Sequence, residues 1–85
     1  MRNQDADVAQ SLWERRGRHL GGGLDKRGYG VSVFDIEYED CESCGEEAGF
    51  LVNLKTHSPT VQSFTYCKKD ANIFLANFGV EFRLQ

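Results

Sequence analysis

The sequence predicts an α+β fold built on a small antiparallel sheet. Residues 31–38, VSVFDIEY, place Phe34, Ile36 and Tyr38 on one face of an extended segment and Asp35 and Glu37 on the other. That period of two marks a half-buried strand. Residues 50–56, FLVNLKT, and 60–66, TVQSFTY, are rich in β-branched and aromatic types and flank Ser58–Pro59, which is turn chemistry, so they form a hairpin. Helical patterns fall outside this run of strands, at 5–20 and 69–78, and such segregation is the α+β pattern.

Taken in order, residues 1–20 hold the first helix. Asp5 or Asp7 caps its start. Val8, Leu12 and His19 lie near one stripe, with Ala9, Trp13, Arg16 and Leu20 beside it. Arg15, Arg16 and Arg18 crowd the last turn, where cations suit the carbonyl end of the helix dipole. Gly21, Gly22 and Gly23 end the helix. Residues 21–30, GGGLDKRGYG, read as a glycine-rich flexible connector. They lack the Gly-Lys-Ser/Thr ending or Gly-x-Gly-x-x-Gly turn of a phosphate loop. Residues 31–85 form a β-rich core. Within it, 69–78, KDANIFLANF, is a short C-terminal helix stopped by Gly79. Val80, Phe82 and Leu84 alternate with Glu81 and Arg83 as a final strand.

At 85 residues and 9.6 kDa, with 40% hydrophobic and 27% charged residues, the chain reads as one folded domain. A domain of this size buries about 60% of its unfolded surface, so a metal or disulfides commonly staple the core. No apolar run approaches the roughly 18 residues of a membrane span. The opening MRNQDADVAQ is polar and acidic, unlike a secretory signal. A reducing, cytoplasmic setting follows, in which the three cysteines are reduced or bind metal.

The net charge of −3 hides three blocks. Residues 31–50 carry seven carboxylates and no base, whereas the segments on either side each have a surplus of two positive charges. The acidic block would repel phosphate. It reads as a solvated edge, or as a surface that steers towards a basic partner.

Cys41 and Cys44 form a C-x2-C pair in DCESCGEE, directly after a strand and followed by Gly45. Two intervening residues let one tight turn present both sulfurs to one ion, and glycine permits the turn. Cys67 ends the hairpin and opens the second helix, where the helix dipole favours a thiolate. Structural Zn2+ takes four ligands. His57 sits at the hairpin tip, about 30 Å from Cys67 along an extended strand. Asp70 completes C-x2-C-x22-C-x2-D, close to the spacing of paired knuckles. Asp70 as a helix cap, His19 or a water as the fourth ligand are the alternatives.

The order of strand, C-x2-C-G knuckle, hairpin and Cys at the start of a short helix resembles the treble-clef and zinc-ribbon families over about residues 38–78. The resemblance implies a structural zinc held by two ligand pairs and a platform for protein or nucleic-acid contacts. Asp70 departs from the usual Cys or His and implies weaker binding, because oxygen is harder than sulfur.

Two other readings of the cysteines are weaker. Burial as apolar residues suits neither Cys41 nor Cys44 among six neighbouring carboxylate and serine side chains. A redox pair normally opens a helix, and acidic neighbours raise thiol pKa values. Catalysis lacks a histidine near any cysteine and room for a cleft, so the chain reads as non-catalytic. The function expected is a zinc-binding adaptor or regulator of a protein partner, inhibiting or redirecting a larger enzyme. Some free-standing proteins of this kind are virus-encoded, although no residue here marks that origin. Candidate partner-binding residues are Glu42, Glu46, Glu47, Arg15, Arg16, Arg18 and Trp13, since Trp and Arg dominate binding hot spots. The alternative is a nucleic-acid-binding zinc ribbon that uses the arginines with Lys26, Arg27, Lys68 and Lys69, plus stacking by Trp13, Tyr29 and Tyr66.

Overall fold

The structure, a computed structural model, describes residues 15–85. Four antiparallel strands pair in chain order: β1 (His19–Leu24), β2 (Gly30–Asp40), β3 (Glu47–Lys55) and β4 (Gln62–Tyr66). One helix, α1 (Lys68–Asn77), follows β4. The mixed α+β class and the predicted hairpin and C-terminal helix are present. Residues 5–14 of the expected first helix, and Trp13 with them, lie outside the described residues.

The rest of that expected helix is corrected. Arg15 is helical, residues 16–18 are irregular, and His19 and Leu20 begin a strand. The Gly17 amide donates to the Asp35 carbonyl at 2.8 Å, and the Asp35 amide donates to Arg18 at 3.1 Å. Glycine is a poor helix former, and here the exposed edge of β2 supplies better partners. The supposed connector is therefore half strand and half hairpin turn. Gly21, Gly22 and Gly23 pair with Val33, Ser32 and Val31. The turn is organised by Asp25, whose carboxylate accepts from the amides of Arg27 at 2.8 Å and Tyr29 at 3.0 Å. Gly28 provides the left-handed backbone there, with φ 88°.

Val31, Val33, Val52 and Leu54 meet Ala71, Phe74 and Leu75 of α1 and Val80 of the tail in the principal core. Phe34, Ile36 and Leu51 form a second buried cluster, which by strand alternation uses the other face. The helix ends at Phe78, where Gly79 has φ 76° and the Val80 amide donates to the Leu75 carbonyl at 2.9 Å. This closure matches the left-handed glycine termination of helices.

The expected final strand is absent. Residues 80–85 join no ladder. Val80 is nevertheless buried, and Phe82 and Leu84 pack on the core while Glu81 and Arg83 are exposed. The alternation reflects one-sided burial. The Leu84 backbone is held instead by Asn72, whose Oδ1 accepts at 2.8 Å and whose Nδ2 donates at 3.1 Å.

Candidate metal centre

The six-residue turn 41–46 joins β2 to β3, and Asp40 pairs with Glu47 at its base. Inside it the Cys41 amide donates to the Glu46 carbonyl at 2.6 Å, and the Gly45 amide donates to the Cys41 carbonyl at 2.9 Å. Gly45 adopts φ 78°, a conformation that costs other residues more. This turn presents Cys41 and Cys44 together.

The other two groups come from the start of α1. Cys67 is the N-cap residue, with extended φ and ψ of −71° and 168°, and makes no side-chain capping bond. The Ala71 amide donates to the Cys67 carbonyl at 2.9 Å. Asp70 therefore lies within the first turn rather than at the cap, which corrects the capping alternative. Its carboxylate suits the positive end of the helix dipole.

Loop and helix are brought together at the edge of the sheet. The Glu42 amide donates to the Thr65 carbonyl at 2.9 Å. The Thr65 amide donates to Glu42 Oε2 at 3.0 Å, and Thr65 Oγ1 donates to the Asp40 carbonyl at 2.8 Å. Thr65 stands two residues before Cys67, so these bonds set one ligand pair against the other.

The Sγ atoms of Cys41, Cys44 and Cys67 and a carboxylate oxygen of Asp70 all lie within 4.8 Å of one another. Cys44 and Cys67 Sγ are 3.7 Å apart, and sulfurs on a tetrahedral zinc at ~2.3 Å lie about 3.8 Å apart. Asp70 Oδ2 is 3.2 Å from both Cys41 and Cys67 Sγ, within a few tenths of the ~3.5 Å expected for sulfur and oxygen on that ion. The donor set thus fits one small tetrahedral cation.

Electrostatics favour the same occupant. Burial would raise the Cys41 thiol, but the backbone amides of Cys44, Cys67 and Ser43 outweigh it and hold the group below its ordinary value. Hydrogen bonds from the Cys67 and Cys41 thiols lower the Asp70 carboxyl. At Cys44 the Glu46 amide acts to lower, yet Cys41, burial, Cys67 and Asp70 together push the thiol up to about 12. Burial, followed by the charges of Glu42, Cys41 and Asp70, raises the neighbouring Tyr66 phenol. Three thiols and a carboxylate converge on one point, and a divalent cation seated there would offset the mutual repulsion that their deprotonation creates.

Neither histidine belongs to this group. His57 is exposed and packs edge-on to Tyr29 at 5.2 Å, while exposed His19 lies 5.0 Å from the Phe34 ring.

The expected partner residues are placed differently from their sequence grouping. Arg15 pairs with Glu39, and Arg18 Nε lies 3.5 Å from Asp35 Oδ2. The Arg16 guanidinium sits 5.3 Å over the Phe34 ring. The basic cluster therefore meets part of the acidic block within the molecule. Glu46 and Glu47 are exposed, whereas Glu42, though also exposed, is tied to β4.

Sequence reasoning missed Thr65, for which no local signal existed. The grouping of Tyr38 with Phe34 and Ile36 on one strand face is corrected: Phe34 and Ile36 are buried, but a bulge in β2 between Asp35 and Glu39 gives Tyr38 φ 63° and leaves it 89% exposed. Tyr38 borders a groove of about 630 Å3 shared with Arg15, Arg18, Asp35 and Glu37. No helix among the described residues is long and apolar enough to cross a membrane. No family model, no curated protein and no solved structure matches the chain.

Proposed function

We propose that this chain is a non-catalytic zinc-binding adaptor or regulator that acts on a protein partner in the cytoplasm. The observation that carries the metal half is the convergence of Cys41, Cys44, Cys67 and Asp70 within 4.8 Å. Three soft thiolates favour zinc over magnesium or calcium, and a carboxylate completes its usual coordination. The ion would be held between the β2–β3 turn and the first turn of α1. There it supplies a cross-link between elements rather than an open catalytic position. Residues 38–78 then form a treble-clef-like core, a reading supported by this division of ligands between a knuckle and a helix start.

The partner half rests on chemistry. Neither histidine stands beside a cysteine to act as its base. Arg15, Arg18 and Arg27 are each paired with a carboxylate, which weakens the nucleic-acid alternative. Exposed Glu46 and Glu47 offer a surface for a basic protein that would be inhibited or redirected.

Elemental analysis of purified protein should give about one zinc per chain. Less than a tenth of an equivalent, with an unchanged folded spectrum, overturns the metal reading. Capture from nuclease-treated lysate should recover a specific protein. Recovery of nucleic acid alone overturns the partner reading.

A further inference from the structure

We propose that Cys44 is a modification site for hydroperoxides, and that its oxidation closes a Cys44–Cys67 disulfide and expels the metal. This rests on the zinc reading above.

The three thiols are not equivalent. Cys41 is 3% exposed, Cys67 is half-buried and Cys44 is open to solvent. Metal ligation keeps a thiolate deprotonated. The exposed sulfur, Cys44, is then the one that an oxidant reaches first.

The resolving group is already in place. Cys67 Sγ lies 3.7 Å from Cys44 Sγ, at van der Waals contact. The Cys44 side rides on the exposed part of the β2–β3 turn, residues 42–46, which can close the remaining gap without moving the sheet.

The chemistry balances with a hydroperoxide as the sole oxidant. The Cys44 thiolate attacks the terminal peroxide oxygen. An S–O bond forms and the O–O bond breaks, and the transferred oxygen keeps its hydrogen, so the product is the sulfenic acid. The departing alkoxide takes one proton from solvent and leaves as the alcohol. The Cys67 thiolate then attacks the sulfenic sulfur, so that an S–S bond forms, the S–O bond breaks and hydroxide departs. The hydroxide takes a second proton from solvent to become water, and the net uptake is two protons. Two thiolates lose two electrons, and the peroxide yields one alcohol and one water. Cys41 and Asp70 are left as ligands, too few for structural zinc.

The test uses zinc-loaded full-length protein and stoichiometric hydrogen peroxide. A chelating dye reads zinc release. Remaining thiols are alkylated and the chain is cut after glutamate, because Glu42 lies between Cys41 and Cys44. The expected product links the Cys44 and Cys67 peptides, is two hydrogens lighter than the reduced pair, and leaves Cys41 alkylated. One zinc should appear per disulfide. In a separate iodoacetamide pulse on unoxidised protein, Cys44 should react about tenfold faster than Cys41. A Cys41–Cys44 link, release of zinc with Cys44 still reduced, or equal alkylation rates overturn the proposal. If the protein carries no zinc, the metal reading fails by itself, and the peptide map still reports which pair of cysteines closes.

Discussion

Glu42 and Thr65 clasp one another through two hydrogen bonds that run in opposite directions. The Glu42 amide donates to the Thr65 carbonyl at 2.9 Å, and the Thr65 amide donates to the Glu42 carboxylate at 3.0 Å. The pair closes the outer edge of β4 at the point where the chain enters the candidate metal centre. Glu42→Ala should cost about 1 kcal/mol, the net worth of one such bond. For a domain of this size that is a fall in Tm of about 4–8 °C. Glu42→Gln keeps an acceptor and should retain most of the stability. Thermal unfolding followed by circular dichroism checks both, and an unaltered Tm for the alanine variant refutes the clasp.

Asp70→Ala should weaken zinc binding by more than about tenfold, as ligand loss exceeds the effect of losing a supporting contact. Asp70→Cys should tighten it, since the fourth donor becomes a soft thiolate. His57→Ala should leave zinc content unchanged, because His57 packs on Tyr29 and not in the cluster. Competition with a chromophoric chelator measures all three. Removing the metal should lower Tm, as a ligand present at a hundredfold excess over its Kd stabilises by about 2.7 kcal/mol.

Gly22 and Gly23 are adjacent in β1 but should respond oppositely to alanine. A Cβ on Gly22 would collide with the backbone carbonyl of Val31, which pairing holds in place. A Cβ on Gly23 would meet Val80 Cγ1 at 3.8 Å, an ordinary contact. Gly22→Ala should therefore cost about 1–3 kcal/mol, as overpacking does. Gly23→Ala should be neutral or slightly stabilising, through lost freedom of the unfolded chain. Urea unfolding at constant m-value is the measurement, and equal midpoints for the two variants contradict the difference in packing.

This strand marks where the sequence was hardest to read. HLGGGL carries no β-branched residue, and its glycines have no propensity for a ladder. Gly21 and Gly22 are there because a neighbour must come close. Gly21 lies beneath the ring of Phe82, distant in sequence, and Gly22 lies against the Val31 backbone across the β1–β2 hairpin. The 50–66 hairpin and α1 were legible because alternation, turn residues and a glycine stop agree locally. The four candidate ligands were legible because metal chemistry fixes residue types and spacing. Glu42 looked like one free carboxylate among seven, since its role depends on Thr65, 23 residues away. The tail alternates by burial, and only its missing ladder separated it from a strand.

Asp25 gives the acid dependence a definite sign. Burial alone would raise its carboxyl, but hydrogen bonds from the Tyr29 amide, the Arg27 side chain and the Arg27 amide outweigh it and hold the group below the ordinary 3.8. A carboxyl lowered in the folded state stabilises above its unfolded value, and that contribution is lost as pH falls through the folded value. Stability should therefore decline below about pH 4, with part of the slope removed in Asp25→Asn. Denaturant midpoints from pH 6 to pH 2 test this. Identical slopes for wild type and variant contradict it.

Charge reversal at Glu46 and Glu47 should weaken capture of the protein partner and leave Tm within about 1 °C, since both side chains are exposed. The loss should shrink as salt rises, because exposed charges act mainly on association rate. Glu42 is left out of this set because its reversal would also open the clasp. Unchanged binding after reversal removes the acidic surface from the interface.

The strand order also sets a sequence of folding events. Every strand pairs with its neighbour in the chain, so each pairing closes a short loop at little entropic cost. The ligand pairs at 41–44 and 67–70 meet only after both the β2–β3 and β3–β4 hairpins exist. An ion seated there would bridge two segments that neither hairpin joins alone. Contacts absent from the folding transition state act by slowing escape from the native state. Loading the candidate centre is therefore expected to lengthen the lifetime of the folded chain, read as the unfolding rate with and without metal.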